Sequence, residues 1–504
     1  MSQYHAAITI GPIIETLCLT SSPVGLWCAS GVFSWFSEHL CRKILAKWES
    51  AKIIVPYFER EQCGQPYSIQ ECGVGKYPDR ILFSVDAKSA KDVKSELAKL
   101  VETAKNELAE KLEAESDAKV KMIQYIQVHF VVEEPSEKPE KNCILRLADY
   151  LDALEMNPTF AVDQTCNPII TLFEGESEKK HNQLLKDSFL MPKNSQIMRN
   201  EKIRKIEQIA AAPTGEHKKK MDYFAVVQAD GDRMGKVLKT LIEDDDVKEF
   251  SQNCLKYTAE ASDMIQKFGG VTIYAGGDDL LFLSPIENAE GKTLFELCED
   301  IRIEFDAAFK SYGFKPTLSF GIAVNYVRYP LYEALEEARN MLEKAKKTKS
   351  DEEEKNKTAV LVRKHSGQSV QFRYPNGGVM YSSLTGLLKD NQNSVTMTSI
   401  LHKLALYRPL LKQALLMKSD MQDVFDNLFD SGYHESVRSY INIVQKKLVE
   451  IYNQIKDGME EDYALQKLHH DTPNTPEGTA VDMIYSMLRI VRFYAEERGN
   501  HPNE

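Results

Sequence analysis

The chain has 504 residues, of which 43% are hydrophobic and 27% are charged. It is too long for a single hydrophobic core, so we expect a globular protein of three or four domains. The formal net charge of −12 excludes a general attraction to nucleic acid, so any contact with RNA would need a local basic patch or a partner subunit.

Nine cysteines are scattered along the chain, and none forms a C-x-x-C pair. The usual zinc spacing is therefore missing, and an odd number of cysteines in a large chain argues against a disulfide framework. A reducing compartment fits better, which predicts a cytoplasmic protein. No apolar run is long enough to span a bilayer, and residues 8–14 are too short and interrupted for a signal peptide, so we expect no membrane contact.

The first 138 residues predict the element order β-α-β-β-α-β, which is that of the ferredoxin-like fold. Apolar residues of the second helix recur at helical spacing, as at Val93, Leu97 and Leu108. We predict strands at 6–10, 53–57, 80–85 and 120–132, and helices at 23–48 and 89–115.

A linker rich in Glu, Lys and Pro leads into a helical insert domain at 139–220, which ends in the basic run 217–220. Such a run is typical of a solvated linker, with phosphate contact as the alternative. The order β-α-β-β-α-β returns at 221–368, and 369–504 are predicted to form a helical C-terminal domain. The predicted fold class is α+β, with two ferredoxin-like units, a helical insert and a helical C-terminal domain.

The second unit and the C-terminal domain have their own predicted elements. Strands are expected at 223–230, 271–275, 279–284, 316–324 and 358–362. Helices are expected from 234, and at 247–268, 288–312, 330–346, 397–418, 435–457 and 476–497.

The stretch that organises the second unit is a predicted hairpin with Gly276-Gly277-Asp278-Asp279 at its tip. Glycine supplies the positive φ angles of tight turns. Adjacent aspartates repel each other and are depleted in strands, so a double carboxylate here indicates a bound cation. The alternative is a solvated hairpin tip, where Gly and Asp are common.

Asp230 and Asp232 end the first strand of this unit, and residues two apart on a strand face the same side. In a split βαββαβ sheet that strand lies beside the second half of the hairpin, which brings Asp230 next to Asp278 and Asp279. Carboxylate and carbonyl oxygens suit Mg²⁺ or Mn²⁺ better than zinc. For Asp232 an N-cap of the following helix is the alternative, and both roles could coexist.

Four glycines remove side chains where a triphosphate would approach the backbone: Gly231, Gly235, Gly276 and Gly277. Lys236 and Lys344 are candidates for phosphate contact, although either could be plain surface charge. Such a site carries out metal-assisted nucleotidyl transfer, in which one metal activates a hydroxyl and a second steadies the pyrophosphate leaving group.

Residues 223–236 and 275–280 resemble the palm domain of the large polymerase-cyclase subunit of type III CRISPR effector complexes. The Gly-Gly-Asp-Asp tip there replaces the corresponding motif of diguanylate cyclases. Within this family, the chain resembles the Cmr-type (III-B) branch in particular. The further stretches that carry it are 10–12, 26–30, 75–80 and 363–367.

The resemblance implies two palms packed face to face, a helical insert between them and a helical C-terminal domain. It implies Asp230, Asp278 and Asp279 as metal-binding catalytic residues, with the Gly231 carbonyl as a further ligand. ATP is the implied substrate and a cyclic or linear oligoadenylate the usual product, made when the complex binds target RNA. The implied partners are the other subunits of the ribonucleoprotein, its guide RNA and its target RNA.

Several departures from the family pattern bear on function. Many members begin with a histidine-aspartate nuclease domain, whereas this chain starts at the first palm, so we expect no nuclease activity. The dipeptide His470-Asp471 is a chance match. Because Cys63 and Cys72 lack finger spacing, we expect no four-cysteine zinc site in the insert.

Some compact members join ATP to S-adenosylmethionine, and this chain resembles them in size, so S-adenosylmethionine stands beside a second ATP as a candidate acceptor. The acceptor pocket would lie in the first palm, where Ser21, Ser22, Trp27 and Ser30 either line it or form a packed helix start. Two other functions stay open: an inert scaffold subunit and a stand-alone nucleotide cyclase.

Overall fold

A computed structural model of the chain describes residues 2–69, 74–112, 116–135, 141–156, 167–170, 205–211, 222–347, 355–389, 394–429, 435–456 and 476–500. Among these residues, no helix combines the length and the apolar character needed to cross a membrane. The basic run 217–220, the dipeptide His470-Asp471 and Cys72 lie outside the described residues.

The first unit is a four-stranded antiparallel sheet with the strand order β2-β3-β1-β4, as the ferredoxin-like prediction requires. Helix α2 lies almost entirely inside the core. The elements are β1 (Ser2–Gly11), α1 (Ile13–Cys18), α2 (Pro23–Lys47), β2 (Lys52–Val55), β3 (Arg80–Ala87), α3 (Ala90–Lys111), α4 (Ser116–Tyr125) and β4 (Gln127–Glu133).

One predicted strand of this unit is half wrong. Residues 116–125 are helical, and the strand predicted over 120–132 begins only at Gln127. Met122, Tyr125 and Ile126 are buried. These residues are three and four positions apart, which is the spacing of a helix. The β-branched residues beside them make the segment look like a strand in the sequence.

The insert contributes two described helices, α5 (Cys143–Glu155) and α6 (Ile206–Ala210). Asn142 caps α5, because its side chain accepts a hydrogen bond from the Leu145 N–H at 3.0 Å. The same amide group donates to the Leu238 and Leu241 carbonyls, so the start of the insert is held against the second unit.

The second unit is a six-stranded sheet with the order β10-β9-β8-β5-β7-β6. Its strands β8-β5-β7-β6 repeat the ferredoxin-like order, and β9 adds parallel to β8. The elements are β5 (Tyr223–Asp232), α7 (Met234–Leu238), α8 (Asp244–Phe268), β6 (Val271–Gly276), β7 (Asp279–Pro285), α9 (Leu294–Ala308), β8 (Thr317–Tyr326), α10 (Leu331–Lys346), β9 (Lys357–Arg363) and β10 (Ser369–Pro375).

Strand β10 corrects the prediction that the chain is mainly helical from residue 369. Val370, Phe372 and Tyr374 are buried, and Gln371 between them is exposed. The three buried apolar residues lie two apart, which is the period of a strand, and the segment pairs antiparallel with β9. The sheet of the second unit therefore extends past the predicted boundary at 368.

Helix α9 is shorter than the predicted helix 288–312. It begins after Thr293, whose hydroxyl accepts a hydrogen bond from the Glu296 N–H, while the Glu296 carboxylate accepts one from the Thr293 N–H. This reciprocal capping box fixes the helix start.

Both faces of the second sheet are buried. Phe224 and Val226 of β5 pack into the core of the first unit, whereas Ala225 and Val227 pack into the core shared with the C-terminal helices. The described C-terminal helices are α11 (Val379–Lys389), α12 (Ser394–Leu406), α13 (Arg408–Leu416), α14 (Met421–Leu428), α15 (Glu435–Lys456) and α16 (Pro476–Asn500).

Candidate active site

The hairpin lies beside the end of β5, as the sequence predicts. Gly276 pairs with Asp279 across a two-residue turn, and Gly277 has a φ angle of +67°, which suits glycine at this place. Strand β5 pairs with β7 so that Ala229 lies opposite Leu280. The following residue, Asp230, therefore reaches the same sheet edge as the turn.

Two of the four glycines are required by contacts within the protein. A Cβ atom on Gly231 would lie 2.7 Å from Asp278 Oδ2, and one on Gly276 would lie 2.8 Å from the Lys76 carbonyl oxygen. Both distances are shorter than Cβ contacts allow, so these positions need glycine for close packing rather than for a ligand. A Cβ on Gly235 or Gly277 would meet open space, which leaves room for a phosphate there.

The carboxylates of the hairpin repel each other, and their pKa values are raised. Lost hydration and the neighbouring Asp230 raise the pKa of Asp278 to about 6. Lost hydration and repulsion from Asp278 raise the pKa of Asp279 well above its ordinary value. The Asp279 side chain is exposed at the surface, so repulsion from Asp278 is the main cause at Asp279. A cation that neutralises this cluster would remove the repulsion.

Lys346 is a site residue that sequence reasoning missed. Its Nζ forms an ion pair with Asp230, donates to the Gly231 carbonyl at 3.2 Å and lies 3.8 Å from Asp232 Oδ1. An ammonium group therefore contacts two of the oxygen ligands predicted for a metal. This donor set of carboxylates and a carbonyl fits a hard divalent cation such as Mg²⁺ or Mn²⁺.

The structure does not bring Lys344 to these carboxylates. Its Nζ donates to Gln371 Oε1 at 2.9 Å, on β10. Residues two apart in a helix point in different directions, so only Lys346, the last residue of α10, reaches the end of β5. The sequence predicts this helix and its lysines. Only the packing of α10 on β5 and β8 shows that Lys346, and not Lys344, reaches the carboxylates. Lys236 lies in the short helix α7 that follows Asp232.

Asp232 is a buried anchor and not a helix cap. Its Oδ2 accepts hydrogen bonds from the hydroxyls of Thr317 and Ser319, at 2.9 and 2.7 Å, and from the Asn356 N–H at 3.0 Å. The N-cap of α7 is Arg233, which makes no side-chain capping bond. The N-cap alternative is therefore wrong, and burial raises the pKa of Asp232. Its bonds join β5 to β8 and to the chain entering β9.

A loop of the first unit covers the edge strand of the hairpin. The Ala275 N–H donates to the Gly75 carbonyl at 2.9 Å. Ser34 of α2 holds this loop, because its hydroxyl accepts from the N–H groups of Lys76 and Tyr77, both at 3.0 Å. Ser30, one helical turn earlier, donates to the Ile273 carbonyl of β6 at 2.8 Å. Helix α2 therefore positions the hairpin.

The contacts of α2 bear on whether Ser21, Ser22, Trp27 and Ser30 line an acceptor pocket or form a packed helix start. Ser22 is the N-cap of α2 and accepts from the Gly25 N–H at 3.0 Å. Trp27 and Ser30 are buried, and Ser21 is exposed. A packed helix start therefore explains Ser22, Trp27 and Ser30.

The two ferredoxin-like units and the carboxylate hairpin define a protein with palm domains. Residues 223–359 match the family described as Cas10/Cmr2, second palm domain. The resemblance drawn from the sequence is thereby confirmed for the second palm. The chain is also 29% identical over 177 residues to the CRISPR system Cmr subunit Cmr2 of Pyrococcus furiosus, a match that covers 30% of this chain and 20% of that curated relative.

Solved structures of Csm1 share the fold over nearly the whole chain. The crystal structure of Csm1 in T. onnurineus gives a TM-score of 0.52 at 15% identity and covers 98% of this chain and 69% of that chain. A Csm1–Csm4 cassette in complex with cA4 gives 0.51 at 15% identity and covers 98% and 70%. A cassette in complex with pppApApA gives 0.52 at 14% identity and covers 96% and 69%. At such identities the likeness concerns the fold.

Proposed function

We propose that the chain is a metal-dependent nucleotidyltransferase that uses ATP to make an adenylate second messenger. The observation that carries this proposal is the meeting of Asp230, Asp278 and Asp279 at one sheet edge, with Lys346 on the oxygens of Asp230 and Gly231. These carboxylates repel one another, and a bound divalent cation would offset that repulsion.

Each group has a role in this proposal. Asp230, Asp278, Asp279 and the Gly231 carbonyl would hold Mg²⁺ or Mn²⁺. When bound, the metal ions would lower the pKa of an attacking hydroxyl and offset the charge of departing pyrophosphate. The open space beside Gly235 and Gly277 admits the triphosphate. Lys346, and Lys236 on α7, supply positive charge for it.

ATP serves as both donor and acceptor in this proposal. Csm1–Csm4 cassettes solved with one ATP, with pppApApA and with cA4 support that choice by analogy of fold. We also propose that the chain works as a subunit of a type III CRISPR ribonucleoprotein activated by target RNA. A net charge of −12 leaves guide and target RNA to be held mainly by partner subunits.

The test uses the complex recovered with the tagged full chain, incubated with α-labelled ATP and Mg²⁺, with and without complementary target RNA. RNA-dependent oligoadenylates would support the proposal. A labelled product that forms only when S-adenosylmethionine is added would overturn the choice of ATP as acceptor. A complex that makes no adenylate product from either acceptor would show the chain to be a scaffold.

A stand-alone cyclase makes a different prediction in the same experiment. The purified chain alone would then make product at the rate of the complex, without RNA. In our proposal the chain alone is slow, because the RNA signal arrives through the partner subunits.

A further inference from the structure

Three side chains with different metal-binding atoms meet where the first palm, the insert and the second palm join. His5 lies on β1, Cys143 is the first residue of α5, and Asp244 is the first residue of α8. Their nitrogen, sulfur and carboxylate oxygen atoms all lie within 4.8 Å of one another. No residue of this cluster belongs to the carboxylate hairpin.

The three groups are already held together by hydrogen bonds. His5 Nε2 lies 2.8 Å from Asp244 Oδ2, and the Cys143 thiol donates to Asp244 Oδ1 at 3.2 Å. The bonds of the Asn142 amide to the Leu238 and Leu241 carbonyls fix α5 beside the start of α8. The geometry is therefore built by the fold and does not depend on a flexible side chain reaching across.

The atoms and their exposure fit a tetrahedral ion of the zinc type. Such an ion binds His nitrogen, Cys sulfur and carboxylate oxygen at about 2.0–2.3 Å, and small movements would bring the three atoms to those distances. Cys143 is 1% exposed, whereas the side chains of His5 and Asp244 are 18% and 31% exposed. The sulfur side is closed, and the opposite side admits water as a fourth ligand.

The charges near the cluster also favour a cation. The guanidinium of Arg146, which interacts electrostatically with Asp244, is matched by the Glu133 carboxylate in two hydrogen bonds of 2.7 Å. Asp244 contributes a negative charge, and the thiol of Cys143 contributes a second when it loses its proton to solvent on metal binding. The first turn of α8 adds Asp245 and Asp246, which are exposed.

We propose that His5, Cys143 and Asp244 form a structural site for Zn²⁺ or a similar borderline-soft ion, with water as the fourth ligand. The ion would join β1, α5 and α8, and so clamp the two palms and the insert together. This site differs from the four-cysteine finger that the sequence led us to doubt, and it stands whether or not the chain transfers nucleotides.

The test is Co²⁺ binding to the full chain, purified without metal and with any histidine tag removed. We expect one Co²⁺ per chain to show the absorption of a tetrahedral Co²⁺–thiolate and to be displaced by Zn²⁺; Co²⁺ on the hairpin carboxylates has no thiolate ligand and adds nothing to that band. Cys143→Ser should remove the thiolate band, and Cys63→Ser should retain it, since Cys63 is exposed and does not belong to the cluster. Even changes in groups that orient metal ligands lower affinity, so we expect His5→Ala and Asp244→Asn to weaken Zn²⁺ binding by at least about tenfold.

A second measurement covers variants that fold poorly. Zn²⁺ should raise the thermal unfolding temperature of the wild-type chain and of Cys63→Ser, but not that of His5→Ala, Asp244→Asn or Cys143→Ser. A thiolate band that survives in Cys143→Ser, or that disappears in Cys63→Ser, would mean an adventitious ion only. Absence of tetrahedral Co²⁺ in the wild-type chain would overturn the proposal.

Discussion

Lys346 and Asp230 form an ion pair at the sheet edge where the hairpin carboxylates converge. The same ammonium group donates to the Gly231 carbonyl. A tethered positive charge therefore contacts oxygens that we assign to a metal ion, and it offsets the repulsion that raises the pKa of Asp278.

Replacing Lys346 should have opposite effects on adenylate formation and on metal binding. Loss of its charge beside the triphosphate should slow adenylate formation by Lys346→Ala about 100-fold, the cost of removing one positioned electrostatic group. Without ATP, the same variant should bind Mn²⁺ more tightly, because the competing ammonium is gone. Both effects are measured by product formation and by Mn²⁺ titration. Lys344→Ala is the matched control, since Lys344 contacts Gln371 instead; a slow Lys344→Ala with a normal Lys346→Ala would contradict this assignment.

The Ser34 hydroxyl should contribute both to stability and to activity. Ser34→Ala would leave the N–H groups of Lys76 and Tyr77 without their acceptor in a buried place, at a cost of about 2 kcal/mol or more in the free energy of unfolding. Because this loop covers β6, the turnover number should also fall. Chemical unfolding and initial rates measure the two effects. Ser262→Ala, which loses only a bond to the Thr258 carbonyl, should change neither; equal effects of the two variants would refute the positioning role.

Two glycine substitutions test the packing of the hairpin. Gly276→Ala would press its methyl group against the Lys76 carbonyl oxygen, at 2.8 Å, and the strain should lower the free energy of unfolding by about 1–3 kcal/mol. Gly235→Ala meets open space within α7 and should leave stability unchanged or raise it by up to about 1 kcal/mol. Thermal unfolding of the two variants is the measurement. A Gly276→Ala chain as stable as Gly235→Ala would show that the tip is not packed as described.

His39 gives the first palm a defined dependence on pH. It bonds Tyr67 and Glu107, and burial lowers its pKa below the ordinary 6.5 despite the opposing pull of Glu107. As the pH falls below 6.5, His39 takes up a proton in the unfolded chain before it does so in the folded chain. The free energy of unfolding should therefore decrease from about pH 6.5 down to the lower pKa that His39 has in the folded chain.

The comparison of wild type with His39→Gln measures this contribution, because the glutamine keeps polar contacts but does not titrate. Unfolding midpoints recorded from neutral to mildly acidic pH should fall more steeply for the wild type. Identical slopes would mean that His39 keeps its ordinary pKa in the folded chain.

Much of the architecture could be predicted from local pattern. The apolar run of β5 and the Gly-Gly-Asp-Asp turn predicted that Asp230 lies beside Asp278, because the ferredoxin-like order dictates which strands are neighbours. The local sequence pattern predicts the wrong element where a short segment is compatible with both a helix and a strand. Residues 116–125 are helical and 369–375 are a strand, and each is decided by what it packs against.

The parts of the site that depend on long-range packing could not be predicted. Lys346 reaches Asp230 across 116 residues of sequence, and only the orientation of α10 distinguishes it from Lys344. For Ser30 the sequence allows a pocket residue or a packed helix start, and only the structure shows that its hydroxyl donates to a carbonyl of the other palm. Asp232 was assigned to a helix cap or a metal, whereas strand neighbours occupy its Oδ2.

The central claim is that the hairpin carboxylates hold the metal that promotes attack on ATP. The most direct measurement is Mn²⁺-dependent pyrophosphate release from ATP by the RNA-bound complex, comparing the wild type with the double variant Asp278→Asn and Asp279→Asn. We predict a loss of at least about 100-fold, while the thermal unfolding temperature of the variant chain stays equal or rises, because a charge repulsion is removed. Pyrophosphate release at the wild-type rate by the folded double variant would contradict the account.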